Sequence, residues 1–186
     1  MVAESRQISI NEFRNLEYYE NDRDFYELID GFVFRKATPK PLHQSVSMNL
    51  CLQLGNYLQK EKIGEIFASP IDVFLDNFNA FQPDLVFIPI ENQHFITDDG
   101  IIGIPDLIIE IISPSSVLRD RIDKKNVCER LKVKEYWIID PQNQEIEIYS
   151  VQNDRYELLS GVTIFEGELK SEVFDGISIN FTELFE

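Results

Sequence analysis

Apolar and polar positions repeat with two periods along the chain, and the switches between them mark its elements. A helix is predicted from "ISINEF": Ser9 is the N-cap, Glu12 completes a capping box, and Ile8 and Phe13 are placed to form a hydrophobic staple. In "FYELIDGFVFRKA" two short apolar runs flank Asp30-Gly31, the pair a type I′ hairpin turn requires because both central residues take positive φ. "TPKP" then breaks the chain. A second helix is predicted from about Leu42 to Lys60, where Val46, Leu50, Leu54, Tyr57 and Leu58 recur at helical spacing. In "SPIDVFLDNF" the apolar residues Ile71, Val73 and Leu75 alternate with Asp72, Phe74 and Asp76, the period of a half-buried strand. "QPDLVFIP" and "PDLIIEII" read as further strands, with 90–103 between them as a loop. A helix from about Ser116 to Lys132 follows, then strands at "EYWIIDP", "EIEIYSV", "RYELLSG" and near "VFDGISINF". The expected fold is α+β, a mixed sheet with helices against it.

Length and composition narrow the class. A chain of 186 residues suits one domain, spanning 1–186, and 44% hydrophobic residues supply a core and argue against disorder. Uncharged apolar runs are too short for a membrane span, and "MVAESRQISINEF" lacks the apolar centre of a signal peptide. A cytoplasmic protein is expected. Cys51 and Cys128 have no metal-like spacing and are expected as free thiols in helices. The net charge of −16 argues against broad nucleic-acid affinity, since phosphate contacts need lysine and arginine. It leaves room for a local basic cleft. Much of the positive charge falls in "LRDRIDKK" and "ERLKVK", where a solvated helix face is the default reading.

The candidate chemistry lies in the carboxylates. Glu110 stands inside an isoleucine run, with Ile108, Ile109, Ile111 and Ile112 around it. A lone carboxylate taken out of water costs several kcal/mol or more unless paired or ligated. Asp84 follows Pro83 in one strand, and Asp106 follows Pro105 in the other; Asp106 and Glu110 share a face by strand alternation. Adjacent strands would bring Asp84 near Glu110, and two close carboxylates repel unless a cation lies between them. Mg²⁺ suits such a pair, because it takes one or two carboxylates and keeps its other positions for water and substrate phosphate. On a helical wheel Val117, Val127, Cys128 and Leu131 form one apolar stripe, with Lys124 at its centre and Lys125 about 100° away. An inward lysine needs an anionic partner, and Glu110 is the candidate. A purely structural Lys–Glu pair accounts for the same pattern.

"FYELIDG", "QPDLVFIP", "GIPDLIIEIISPSS", "RDRIDKK" and "VKEYWIIDP" occur in this order. Together they resemble the Uma-type putative restriction endonuclease family, a branch of the PD-(D/E)XK nuclease superfamily, from about residue 9 to the C-terminus. The resemblance implies a restriction-endonuclease-like core, a mixed sheet flanked by helices. It implies Asp84 and Glu110 as metal ligands for Mg²⁺ or Mn²⁺, and Lys124 as the catalytic lysine. In the superfamily pattern that lysine stands two residues after the second acid, where this chain has Ile112. Glu27 matches a family acid in "YELIDG", with an ordinary strand carboxylate as the alternative. The implied activity is metal-dependent hydrolysis of phosphodiester bonds in DNA, by a homodimer.

His43, near a helix start, and His94, in a loop, are read as structural or surface residues. The competing function is a non-catalytic binding or regulatory module on the same fold, favoured by the acidity and by Ile112. A metal bound for stability alone is a weaker reading, since a structural site is normally closed by more ligands. A basic rim around Asp84 would favour the nuclease and a uniformly acidic one the module.

Overall fold

The computed structural model describes residues 6–17, 26–163, 165 and 167–186. Helix α1 (Ile10–Arg14) begins at Ser9, whose side chain caps Glu12 while the Glu12 side chain reaches back, so the capping box is formed. Ile8 and Phe13 are both buried in one cluster, as the staple requires. Strands β1 (Tyr26–Ile29) and β2 (Phe32–Arg35) form the hairpin, and its turn residues Asp30 and Gly31 have φ of 49° and 78°. Helix α2 (Pro41–Glu61) starts on a proline, which suits a position whose N–H would have no helical partner.

The fold is α+β with mixed sheet flanked by helices, as expected, and among the described residues the strands divide into two six-stranded mixed sheets. The first runs β2-β1-β5-β4-β8-β7, with β4 (Val73–Asp76), β5 (Asn79–Phe81), β7 (Ile96–Thr97) and β8 (Gly100–Ile102). The second runs β12-β11-β10-β9-β6-β3, with β3 (Gly64–Ala68), β6 (Leu85–Pro89), β9 (Leu107–Ile111), β10 (Glu135–Asp140), β11 (Glu145–Gln152) and β12 (Arg155–Thr163). Residues 90–103, expected as a loop, instead hold a 3-10 turn (Ile90–Phe95) and the small β7–β8 hairpin. The run near "VFDGISINF" is not a strand. Its apolar residues Phe174, Ile177 and Ile179 are buried in the core from an irregular segment leading to α4 (Phe181–Phe185). Tertiary packing explains this difference, since an irregular segment lying on a sheet face, with Phe174 against Phe87 and Trp137, can bury side chains without ladder bonds.

The second sheet is apolar on both faces. Leu85, Phe87, Leu107, Ile109 and Ile111 face α2 and the C-terminal segment. Val86, Ile88, Ile108 and Ile112 face the other way, onto a helix built in two parts. That helix has a π-helical stretch, Arg119–Lys124, running into α3 (Lys125–Leu131). Alternation gives Glu110 the same face as Ile108 and Ile112, so it points at this two-part helix.

Candidate active site

Strands β6 and β9 are antiparallel neighbours, with Leu85 opposite Ile109 and Val86 opposite Ile108. Carried one residue further, that register sets Asp84 against Glu110. The Ile111 amide donates to Asp84 Oδ2 at 2.7 Å, which fixes the aspartate over the end of the ladder. Both carboxylates line one cleft of about 440 Å³.

The two-part helix brings Lys124 to the floor of this cleft. Lys124 is 1% exposed, and its Nζ lies 2.8 Å from Glu110 Oε1, 2.8 Å from Glu27 Oε1 and 3.7 Å from Asp120 Oδ1. Glu27 sits beneath the cleft on β1, and the Gln82 amide also donates to its Oε1 at 2.9 Å. The other Glu27 oxygen, Oε2, faces Arg119 Nε at 3.8 Å, and neither atom has a hydrogen bond among the described residues. The first sheet thus supplies Glu27, the second supplies Asp84 and Glu110, and the helix between them supplies Asp120 and Lys124.

Charge is unevenly compensated here. Burial raises the Glu27 carboxyl, but the charges of Lys124, Lys36 and Arg119 outweigh it and bring its pKa to about 2. Burial pushes Glu110 well above the usual carboxylate range; Lys124 opposes this, while Asp120, Asp84 and Glu27 add to it. Asp120 is raised as well, chiefly by burial. Burial alone would lower Lys124, yet Glu110, Glu27 and Asp120 hold it above its ordinary value. Lys124 is therefore a fixed cation and not a base. It lies 2.8 Å from both Glu27 and Glu110, but Lys36 and Arg119 act on Glu27 as well, whereas Glu110 has Lys124 alone against Asp120, Asp84 and Glu27 and is the under-compensated acid of the group.

One residue of this site was read differently from the sequence. His43, expected to be structural or on the surface, lines the cleft with its Nε2 3.1 Å from Asp84 Oδ2. Burial lowers its pKa, but the hydrogen bond and charge of Asp84 raise it above the ordinary value. Its Nδ1 is buried without a hydrogen-bond partner among the described residues. The only signal in the sequence was its place in the first turn of α2, which says nothing about a strand 41 positions on.

The remaining residues are placed as follows. Asp106 does not reach the cleft; it pairs with Lys134 and accepts from Asn92, because it precedes β9 where the strand has not begun. Ile112 is buried in the apolar cluster facing α3, so a lysine there would meet Val127 and Cys128 rather than water. Lys125 lies with Nζ 3.7 Å from the centre of the Tyr149 ring and outside the cleft lining. His94 is on the 3-10 turn against Phe95. Cys51 and Cys128 are free thiols.

The cleft walls are basic and hydroxylic. Lys36, Thr38, Lys40, Ser113, Ser115, Ser116 and Arg119 line the cleft together with Asp84, Glu110 and Asp120. The rim around Asp84 is thus basic although the chain carries −16.

Two carboxylates from paired strands, one of them under-compensated, form a donor set that fits a hard divalent cation. Among the described residues no group of three or more His, Cys, Asp or Glu side chains is placed to hold a metal ion. An open two-carboxylate site is what Mg²⁺ takes when it keeps water and substrate as its other ligands. Among the described residues no helix is long and apolar enough to cross a membrane.

No curated protein matches the chain. Among solved structures it is similar to one described as a putative nuclease belonging to DUF820 from Anabaena variabilis ATCC 29413. The TM-score is 0.76 at 18% identity, over 96% of this chain and 97% of that one, a likeness of fold. A family model described as "Putative restriction endonuclease" matches residues 10–182, and the chain belongs to this Uma2 family.

Proposed function

We propose that the protein is a metal-dependent endonuclease hydrolysing phosphodiester bonds of DNA, with Asp84 and Glu110 as ligands for Mg²⁺ or Mn²⁺. The observation that carries this reading is the meeting of Asp84 and Glu110 in one cleft, with Lys124 2.8 Å from Glu110 and a basic rim above them. A bound divalent cation would polarise the phosphate and lower the pKa of a water. Lys124 supplies a permanent positive charge next to the reacting phosphate, where charge develops in the transition state. Glu27 holds that ammonium in place from below, as a positioning residue. His43 and the Ile111 amide hold the Asp84 carboxylate by two hydrogen bonds to Oδ2.

The test is cleavage of plasmid and single-stranded DNA with Mg²⁺ or Mn²⁺, with Glu110→Ala as control. Cleavage by the wild type that is lost in EDTA and in the variant supports the reading. Metal-independent cleavage, or none, overturns it. The second reading is a non-catalytic module. It is favoured by the completeness of the Lys124–Glu27–Glu110 contacts without any further group, as in a structural ion cluster. It requires wild-type protein to bind DNA without cutting it in either metal.

A further inference from the structure

The distribution of cations in this chain bears on the form of nucleic acid the cleft accepts. Most described lysines and arginines are tied to carboxylates. Arg6, Arg14, Lys60, Arg121, Arg130, Lys132, Lys134 and Lys170 all pair with an acid away from the cleft. Lys124 and Arg119 sit among Glu27, Glu110 and Asp120. Among the described residues Arg35, Lys36, Lys40, Lys62, Lys125 and Arg155 make no ion pair with a carboxylate; Lys62, Lys125 and Arg155 lie outside the cleft lining, while Arg35, Lys36 and Lys40 fall within six consecutive positions, with the charge of Lys36 also reaching Glu27. Lys36 and Lys40 line the cleft, where the Lys36 amine donates to the Gln82 carbonyl at 2.7 Å. Lys40 is exposed and stands directly before α2, whose start has no side-chain cap. The free N–H groups and positive dipole end of that helix add to the same side. The hydroxyls of Ser113, Ser115 and Ser116 line the same cleft.

We infer that Lys36 and Lys40 form a short phosphate-gripping jaw, and that the cleft takes single-stranded DNA in preference to duplex. This rests on the nuclease reading of the site. Duplex DNA presents a charge about every 1.7 Å along its axis, from both strands. A rigid duplex laid against this jaw also brings many phosphates over a body of strong net negative charge. At physiological salt, repulsion reaches about 8 Å. The jaw spans five residues and neutralises two phosphates, too few to offset that repulsion on a body of net charge −16. A single strand bends. It lays two phosphates on Lys36 and Lys40, puts the next over Asp84 and Glu110, and turns the rest of its charge into solvent.

The test is binding in EDTA, read by fluorescence anisotropy with an end-labelled twelve-nucleotide oligo(dT) and a twelve-base-pair duplex, over a range of salt. The single strand is expected to bind at least tenfold more tightly. Its log K should fall with log salt at a slope near −1.4, about 0.7 for each of two phosphates. Lys40→Ala should lower that slope by about half. Lys36→Ala should do the same, but it also loses the bond to Gln82, so the exposed Lys40 carries the decision if that variant fails to fold. Arg155→Gln, on β12 and away from the cleft, should match wild type. Equal or tighter duplex binding, no binding to either probe at low salt, or an unchanged slope in Lys40→Ala overturns the inference. The failures are separable. Single-strand binding without cleavage in Mg²⁺ sinks the nuclease reading alone, and tight binding and cutting of duplex sinks this inference alone.

Discussion

Replacing Lys124 by methionine keeps most of the side chain's volume and removes the charge on which two buried carboxylates depend. Both Glu27 and Glu110 have an oxygen 2.8 Å from its amine, and Glu27 is wholly buried. Arg119, at 3.8 Å from Glu27 and 3.9 Å from Asp120, is too poorly placed to take over. The Glu27 pKa stands at about 2 against an ordinary 4.5. By linkage that difference corresponds to about 3 kcal/mol of stability at neutral pH. Because the folded value is depressed, this contribution is fully present above about 4.5 and is lost as pH falls toward 2. Breaking a buried ion pair typically costs about 3–5 kcal/mol, in agreement. Lys124→Met is therefore expected to lose about 3–5 kcal/mol at pH 8 in EDTA. The loss should shrink on acidification to pH 5, because Glu27, now raised rather than lowered, takes up a proton in the folded state. Urea unfolding of both proteins at several pH values measures this. A gap under about 1 kcal/mol at pH 8, or one that stays constant down to pH 5, would refute Lys124 as the counter-charge of Glu27.

Glu110→Gln should leave metal-free stability unchanged or higher at pH 8. Its carboxyl is raised well above the ordinary range, so the charge it removes is a net penalty there; thermal melts with and without Mg²⁺ should also show a metal-induced shift in wild type that the variant lacks. A marked metal-free loss, with no shift in wild type, would leave only the structural pair. Lys125→Ala should keep activity within about twofold and lose about 0.5–1 kcal/mol from the contact with Tyr149, checked by cleavage rate and urea melts. His43→Ala removes one of two hydrogen bonds that fix Asp84, and a loss of about 10–100-fold in metal affinity or activity is expected, read by metal titration and cleavage rate.

The parts of the fold that could be read from the sequence were those set by neighbours in the chain. Ser9 and Glu12 are three apart, Asp30 and Gly31 adjacent, and the α2 stripe repeats every turn. Glu110 was conspicuous because burial forbids an unmatched charge, and that rule needs no coordinates. The division into two sheets was not readable, since either arrangement satisfies the same strand periods. Asp106 and His43 went the other way for one reason: whether a polar group reaches a site depends on where its strand or helix ends in space. Asp106 lies one residue before β9 and turns to Lys134; His43 lies one turn into α2 and meets Asp84.

The placing of Lys124 was read with a wheel of 100° per residue, although the backbone there is not an α-helix. From Arg119 to Lys124 the turns are π-helical, which lags that wheel. Lys124 nevertheless shares the inward face of Val127, Cys128 and Leu131, at spacings of three, four and seven through regular α3. Its relation to Val117 crosses the π turns and was not a valid part of that argument. The wider turns have a consequence for the site. They let Asp120 and Lys124, four apart, both face inward while Val127 and Cys128 keep their places in the core. Deleting Asp123, which is exposed, would convert the stretch toward α-helix and turn one half of it against the other by about 100°. Burial of Val127 and Cys128 anchors the C-terminal half, so the N-terminal half should turn, breaking the bond from the Tyr136 hydroxyl to the Asp120 carbonyl and carrying Asp120, Arg119 and Ser116 away from the cleft. The expected outcome is a folded protein by far-UV circular dichroism whose cleavage falls more than tenfold. Wild-type cleavage by the deletion variant would show that the π turns do not position this site.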